Sequence, residues 1–218
     1  LPPLGYTPPA GRGTHLRASR EKLTSPGPFR MVLLGDSIMN DTGNSNCDVL
    51  IDARVGADVE LITSVRGGTG CWYYRREGNV KKYVLDCEPD LVVIGGVCNR
   101  RAEYVRDVIR QIRERSDVDI LVCSGSYGRN YKPPAGKDWT AAIDPDANDY
   151  RSRLARVAAE ENVEFLDMRG ATDQYFRHCG RDIAFYMRDA THPTEHGRQI
   201  IGRILARYLV PDANAPGQ

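Results

Sequence analysis

A chain of 218 residues is long enough for one sizeable domain with its own core and too short for two ordinary ones. Hydrophobic residues make up 41% and charged residues 27%, the balance of a soluble globular protein. Thirty basic against 29 acidic side chains leave a formal charge of +1, which supplies neither a nucleic-acid footprint nor a face built for a membrane surface. Apolar runs such as Leu91 to Val97 are far too short to span a bilayer.

The six cysteines show no CxxC spacing, which argues against a zinc ribbon or redox motif, while their even number permits disulfides. Cys98 and Cys123 end apolar runs and read as small core residues. The chain does not start with Met and carries no signal peptide, as expected of a trimmed or mature form. A secreted or periplasmic protein is the expectation.

Residues 1–28 are rich in Pro and Gly and read as a tail or linker leading in from another domain. Order is expected from Phe29, with a domain over 29–210 and a short tail over 211–218. Met31 to Leu34, ended by Gly35, predicts a buried strand. Further strands are expected at 59–65, 91–94, 119–123 and 163–168. Helical periodicity follows over 102–115, with Val105, Val108, Ile109 and Ile112 on one face. It recurs over 146–161, and again over 194–209 with Thr194 as N-cap. Short apolar strands alternating with amphipathic helices predict an α/β protein with a mostly parallel, five-stranded sheet covered on both faces. Ligands on such sheets bind outside the carboxyl ends of the strands.

Four segments follow predicted strand ends or precede the last helix, and each carries polar chemistry. Gly35-Asp36-Ser37-Ile38 places a serine just past the first strand, where it can serve as a nucleophile. Asp36 and Ser37 are equally good turn and N-cap residues. Arg66 to Gly70 lacks the Gly-Lys-Ser/Thr of a P-loop and the GxGxxG of a dinucleotide site, leaving a loop that can offer a backbone N–H to an oxyanion or serve as a simple turn. Gly95 to Asn99 offers a side-chain amide, which can donate to an oxyanion or cap the next helix. Asp189-Ala190-Thr191-His192-Pro193 can set a carboxylate beside one imidazole nitrogen and leave the other free to take a serine proton. Trp72 and Tyr73 follow the glycine loop and are candidate walls of a substrate pocket, as well as candidate packing residues. Ser126 is no nucleophile elbow, because Ser124 stands where a glycine is needed, and it is expected near the pocket rim. His178-Cys179, without an HExxH, does not suggest a metal site.

The order of these segments resembles the SGNH (GDSL-type) hydrolase superfamily over roughly residues 29–209. Gly35-Asp36-Ser37 and Asp189-x-x-His192-Pro193 are the specific matches. The resemblance implies a three-layer α/β/α sandwich with flavodoxin-like strand order. It further implies Ser37, His192 and Asp189 as the catalytic triad, with an oxyanion hole of the Ser37 and Gly70 N–H groups and Asn99, and no cofactor. The implied activity is hydrolysis of short acyl esters, acetyl foremost, on a small molecule or polysaccharide. Lipase or thioesterase chemistry, O-acyl transfer and a silent carbohydrate-binding module are the alternatives. Two departures stand out. The third block has one extra residue between Gly96 and Asn99 and is followed by Arg100, and Ser64 occupies the region of the second block's usual Asn, so the glycine donor could shift to Gly67 or Gly68.

Overall fold

The computed structural model describes residues 1–99, 101–126, 143–144 and 146–211, with no side chain described for Arg177. The Arg100 departure, the end of the loop at Tyr127-Gly128 and the tail over 212–218 lie outside the described residues.

Five strands form one wholly parallel sheet: β1 (Gly27–Gly35), β2 (Ala57–Val65), β3 (Leu91–Ile94), β4 (Asp119–Cys123) and β5 (Glu164–Leu166), in the order β2-β1-β3-β4-β5. This is the flavodoxin-like order, in which the chain reverses direction across the sheet beside β1 and β3 and opens a crevice there. Alternation of side chains divides each strand between two cores. Met31, Leu33, Leu91, Val93, Leu121 and Leu166 pack against α1 (Arg17–Leu23), α2 (Ser37–Gly43), α3 (Cys47–Asp52), α8 (Met168–Cys179) and α9 (Glu195–Leu209). Leu34, Val92, Ile94, Ile120 and Val122 pack against α4 (Cys71–Tyr74), α5 (Asn79–Tyr83), α6 (Ala102–Arg113) and α7 (Tyr150–Glu160). The result is the expected three-layer sandwich.

The expected strands at 91–94 and 119–123 match β3 and β4 to the residue. The helix expected from 146 begins at Tyr150, because Asp149 accepts the Ser152 N–H at 3.1 Å and starts the helix there. Among the described residues no disulfide joins the six cysteines, of which Cys47, Cys71 and Cys123 are buried. Burial raises the Cys47 thiol to about 11, which holds it neutral and unreactive. Among the described residues no helix is long and apolar enough to cross a membrane.

The Pro/Gly-rich segment 1–28, expected as a tail or linker, contributes α1 and the first residues of β1, and buries Leu16 and Leu23 in the core. Its backbone is held by acidic residues at the amino-terminal edge of the sheet. Glu164 accepts the N–H groups of Gly13 at 2.6 Å and His15 at 3.0 Å, and the Tyr208 hydroxyl at 2.5 Å. Asp119 accepts the Ser19 N–H at 2.7 Å. These long-range partners leave no period in the local sequence. Glu164→Ala would strand the Gly13 and His15 N–H groups, while the Tyr208 hydroxyl keeps the Phe165 carbonyl at 2.9 Å, and is expected to cost about 1–3 kcal/mol, read as a lowered unfolding free energy in urea.

Candidate active site

The carboxyl ends of β1, β2 and β3 stand level, with Gly35 opposite Val65 and Leu34 opposite Ile94. The segments that leave these ends are therefore neighbours. Asp36, fully buried, is the N-cap of α2 and accepts the Ile38 N–H at 2.9 Å. Its other oxygen accepts the N–H groups of Val97 and Cys98, each at 2.6 Å. One carboxylate thus fixes both the start of α2 and the loop after β3. The capping half of this role is legible in the sequence. The bridge to residues 97 and 98 is not.

Ser37 is the first residue of α2, and its Oγ lies 2.9 Å from His192 Nε2. His192 Nδ1 lies 3.0 Å from Asp189 Oδ2 and 3.1 Å from Oδ1. Asp189 Oδ1 also accepts the N–H groups of Thr191 at 2.7 Å and His192 at 2.8 Å. These two backbone donors, with the imidazole, hold the Asp189 carboxyl down to about 2. An ionised carboxylate only accepts, so Nδ1 must carry the proton that it shares with Asp189. In a neutral imidazole, Nε2 is then the acceptor facing the Ser37 hydroxyl. The loop is closed by the Arg188 N–H on the His192 carbonyl at 2.9 Å and a bridge from Met187 to Pro193. Thr194 then caps α9, accepting the Gly197 N–H at 3.4 Å.

The glycine loop meets the third segment at Gly70. A Cβ built there would lie 2.4 Å from the Cys98 carbonyl oxygen and 2.6 Å from the Asn99 nitrogen, both backbone atoms, so only glycine fits. Gly67 and Gly68 have open space around them, so Gly70 is the glycine placed against the Asn99 loop. Asn99 is buried. Its Oδ1 accepts the Cys71 N–H at 2.9 Å, and its Nδ2 donates to the Gly95 carbonyl at 3.3 Å. The same amide also faces the Tyr150 hydroxyl. The alternative role of Asn99 as helix cap does not hold: Arg101 occupies that position in α6. Among the described residues, the Ser37 and Gly70 N–H groups have no hydrogen-bond acceptor.

Trp72 and Tyr73 lie on α4, immediately after this loop. The Tyr73 ring packs edge-on against Tyr74 and Tyr83, with the Arg66 guanidinium 4.8 Å from its centroid. Arg76 lies over Trp72 at 5.4 Å. Tyr74 is the buried anchor of the group, its hydroxyl donating to the Gly35 carbonyl at 2.6 Å. Ser126, expected near the rim, is buried instead, because Thr172 Oγ1 donates to its carbonyl at 3.0 Å and draws the loop inward. His178 is exposed on α8 beside the Gln174 carbonyl.

Residues 33–200 match the GDSL-like lipase/acylhydrolase family. No curated protein matches the chain. Among solved structures, the chain is similar to a two-domain esterase active on acetylated mannans, at 14% identity and a TM-score of 0.68. That match covers 94% of this chain and 56% of the other, so the chain spans little more than half of that enzyme. An acetylxylan esterase from Geobacillus stearothermophilus, solved as a catalytic mutant, matches at 12% identity and a TM-score of 0.64, covering 87% of this chain and 97% of the other. An α/β hydrolase from the metagenome of Lake Arreo, Spain, matches at 17% identity and a TM-score of 0.62, covering 87% of this chain and all (100%) of the other. The family match spans most of the chain and includes both the Gly35-Asp36-Ser37 segment and the Asp189/His192 loop. The chain belongs to the GDSL-like lipase/acylhydrolase family of ester-hydrolysing enzymes.

Proposed function

We propose that the protein is a serine esterase that removes short acyl groups, acetyl foremost, from a carbohydrate through a covalent acyl-enzyme. The observation that carries this reading is the unbroken hydrogen-bond chain from Ser37 Oγ through His192 to Asp189, with contacts of 2.9 and 3.0 Å. Ser37 Oγ attacks the ester carbonyl as His192 Nε2 takes its proton. The tetrahedral oxyanion is held by the Ser37 and Gly70 N–H groups and the side-chain amide of Asn99. His192 returns the proton to the leaving alcohol, and water, activated in turn by His192, releases the acid. No step needs a metal or cofactor. Trp72 and Tyr73, next to the Gly70 donor, are the candidate sugar-binding aromatics, with the Arg66 and Arg76 guanidinium groups over their rings.

The carbohydrate part of the reading is supported by the acetylated-mannan and acetylxylan esterases among the similar structures. A secreted or periplasmic location fits such substrates. The test compares p-nitrophenyl acetate with the octanoate ester, and acetylated xylan with acetylated mannan. Acetate should be favoured by about tenfold or more in kcat/KM, and acetate should be released from at least one polysaccharide. Preference for octanoate would replace this reading with a lipase-type one, and acetate moved to an added sugar would replace it with a transferase.

The acid limb of the pH profile is also constrained. Asp189 titrates near 2, below its ordinary value, so it is ionised throughout the range above about pH 4 and loses its charge only as pH falls toward that lower value. The fall of kcat/KM on acidification should therefore follow a single protonation, with unit slope. A slope of two would mean that a second group must be deprotonated.

A further inference from the structure

Helix α2 carries Ser37 at its start, and one turn later it carries Asp41, whose carboxylate is 4% exposed. Across from it on α9, the helix that follows the His192 loop, Arg198 Nε donates to Asp41 Oδ1 at 2.8 Å. The second oxygen of Asp41 is buried and has no hydrogen-bond partner among the described residues. Such a pair is a poor stabiliser. A carboxylate taken out of water and satisfied on one oxygen gives back little of its desolvation cost, and a well-packed apolar pair holds two helices at least as firmly. What the pair does supply is direction, because one fixed hydrogen bond sets how far α9 slides and turns along α2.

That register passes directly to the reacting groups. At one end, Asp41 and Ser37 lie one turn apart on the same helix face. At the other, α9 is tied rigidly to the His192 loop: the Thr194 N–H donates to the Tyr186 carbonyl at 2.8 Å, and Thr194 Oγ1 donates to the Phe185 carbonyl at 2.7 Å. Further along α9, a Cβ on Gly202 would come within 2.6 Å of Ser45 Oγ and 2.7 Å of the Ser45 carbonyl oxygen, so this part of α9 presses directly on the turn that ends α2. Close packing alone permits sliding, and the Asp41–Arg198 bond removes that freedom.

We propose that Asp41 and Arg198 are a positioning pair that fixes α2 against α9 and so holds Ser37 Oγ within proton-transfer distance of His192 Nε2. This rests on Ser37 and His192 acting as nucleophile and base. The pair touches no substrate and changes the reaction only through the separation of those two groups.

The test uses an Asp41→Leu/Arg198→Met double variant, whose apolar pair keeps the helices packed but removes the directed bond. Three quantities are read: kcat and KM on p-nitrophenyl acetate, the rate at which a fluorophosphonate labels Ser37, and the melting temperature. Turnover and labelling should both fall by about tenfold or more, with KM and melting little changed. Asp41→Asn, which keeps an oxygen to accept from Arg198, should lose less than the double variant. A double variant that turns over and labels at the wild-type rate overturns the proposal. If the double variant melts below the assay temperature, Arg198→Ala decides: added methylguanidinium should restore the lost turnover, and failure to restore it overturns the proposal. Ser37→Ala, assayed alongside, separates the two ideas. Full activity in that variant would remove the nucleophile itself, whereas its inactivity with an unaffected double variant would remove the positioning pair alone.

Discussion

Ser37→Ala is expected to lower kcat on p-nitrophenyl acetate by about 10⁴–10⁶-fold while leaving KM and the melting temperature close to wild type. The size follows from the role. Without the hydroxyl there is no acyl-enzyme, and what survives is the contribution of substrate binding and the oxyanion donors to direct attack by water. The fold should tolerate the change because Ser37 is the first residue of α2, while the cap that starts the helix comes from Asp36. His192→Ala should cause a loss of similar order, and the Ser37/His192 double variant should be little worse than either alone. Groups that act as one unit fail together.

Asp36→Ala is expected to be the most destabilising single change at the site, at about 3 kcal/mol or more, because three N–H groups lose their acceptor where the carboxylate is fully buried. The loss should appear as a lower urea midpoint with little change in slope. Activity measured under conditions where the variant is still folded should fall as well. Val97 and Cys98 lead directly into Asn99, and the end of α2 that carries Ser37 would no longer be pinned to them. Asp36→Asn should fall between, since one amide oxygen can still accept the Ile38 N–H while its NH₂ group faces the donors of Val97 and Cys98. A variant as stable as wild type would mean that water or a shifted loop satisfies those donors.

These two residues also show how much was legible beforehand. Gly35-Asp36-Ser37 stands after an apolar run and Asp189-x-x-His192 before an amphipathic helix, so their place at the carboxyl ends of strands follows from periodicity and the parallel-sheet rule. The order of the strands and the pairing of Ser37 with His192 were expected from the resemblance, and the structure places those side chains in contact. What the sequence could not reveal depends on distant partners. Nothing near Glu164 announces that it holds the backbone of Gly13 and His15, so the sequence of this helix-bearing segment has the look of a tail. Nothing near Asp41 announces Arg198, and α8 shows no clear apolar period because it turns a threonine inward, where Thr172 Oγ1 bonds the carbonyls of Met168 and Ser126. Short helices such as α4 and α5 carry too few turns to show a period.

The central claim concerns which atom becomes acylated, and mass spectrometry of the labelled protein addresses it directly. After exposure to a fluorophosphonate, digestion should show a single added mass on the peptide that contains Ser37, and that adduct should be lost in Ser37→Ala and strongly reduced in His192→Ala. An adduct on Ser126, on a cysteine, or on the Ser37 peptide at an undiminished rate without His192 would contradict the account.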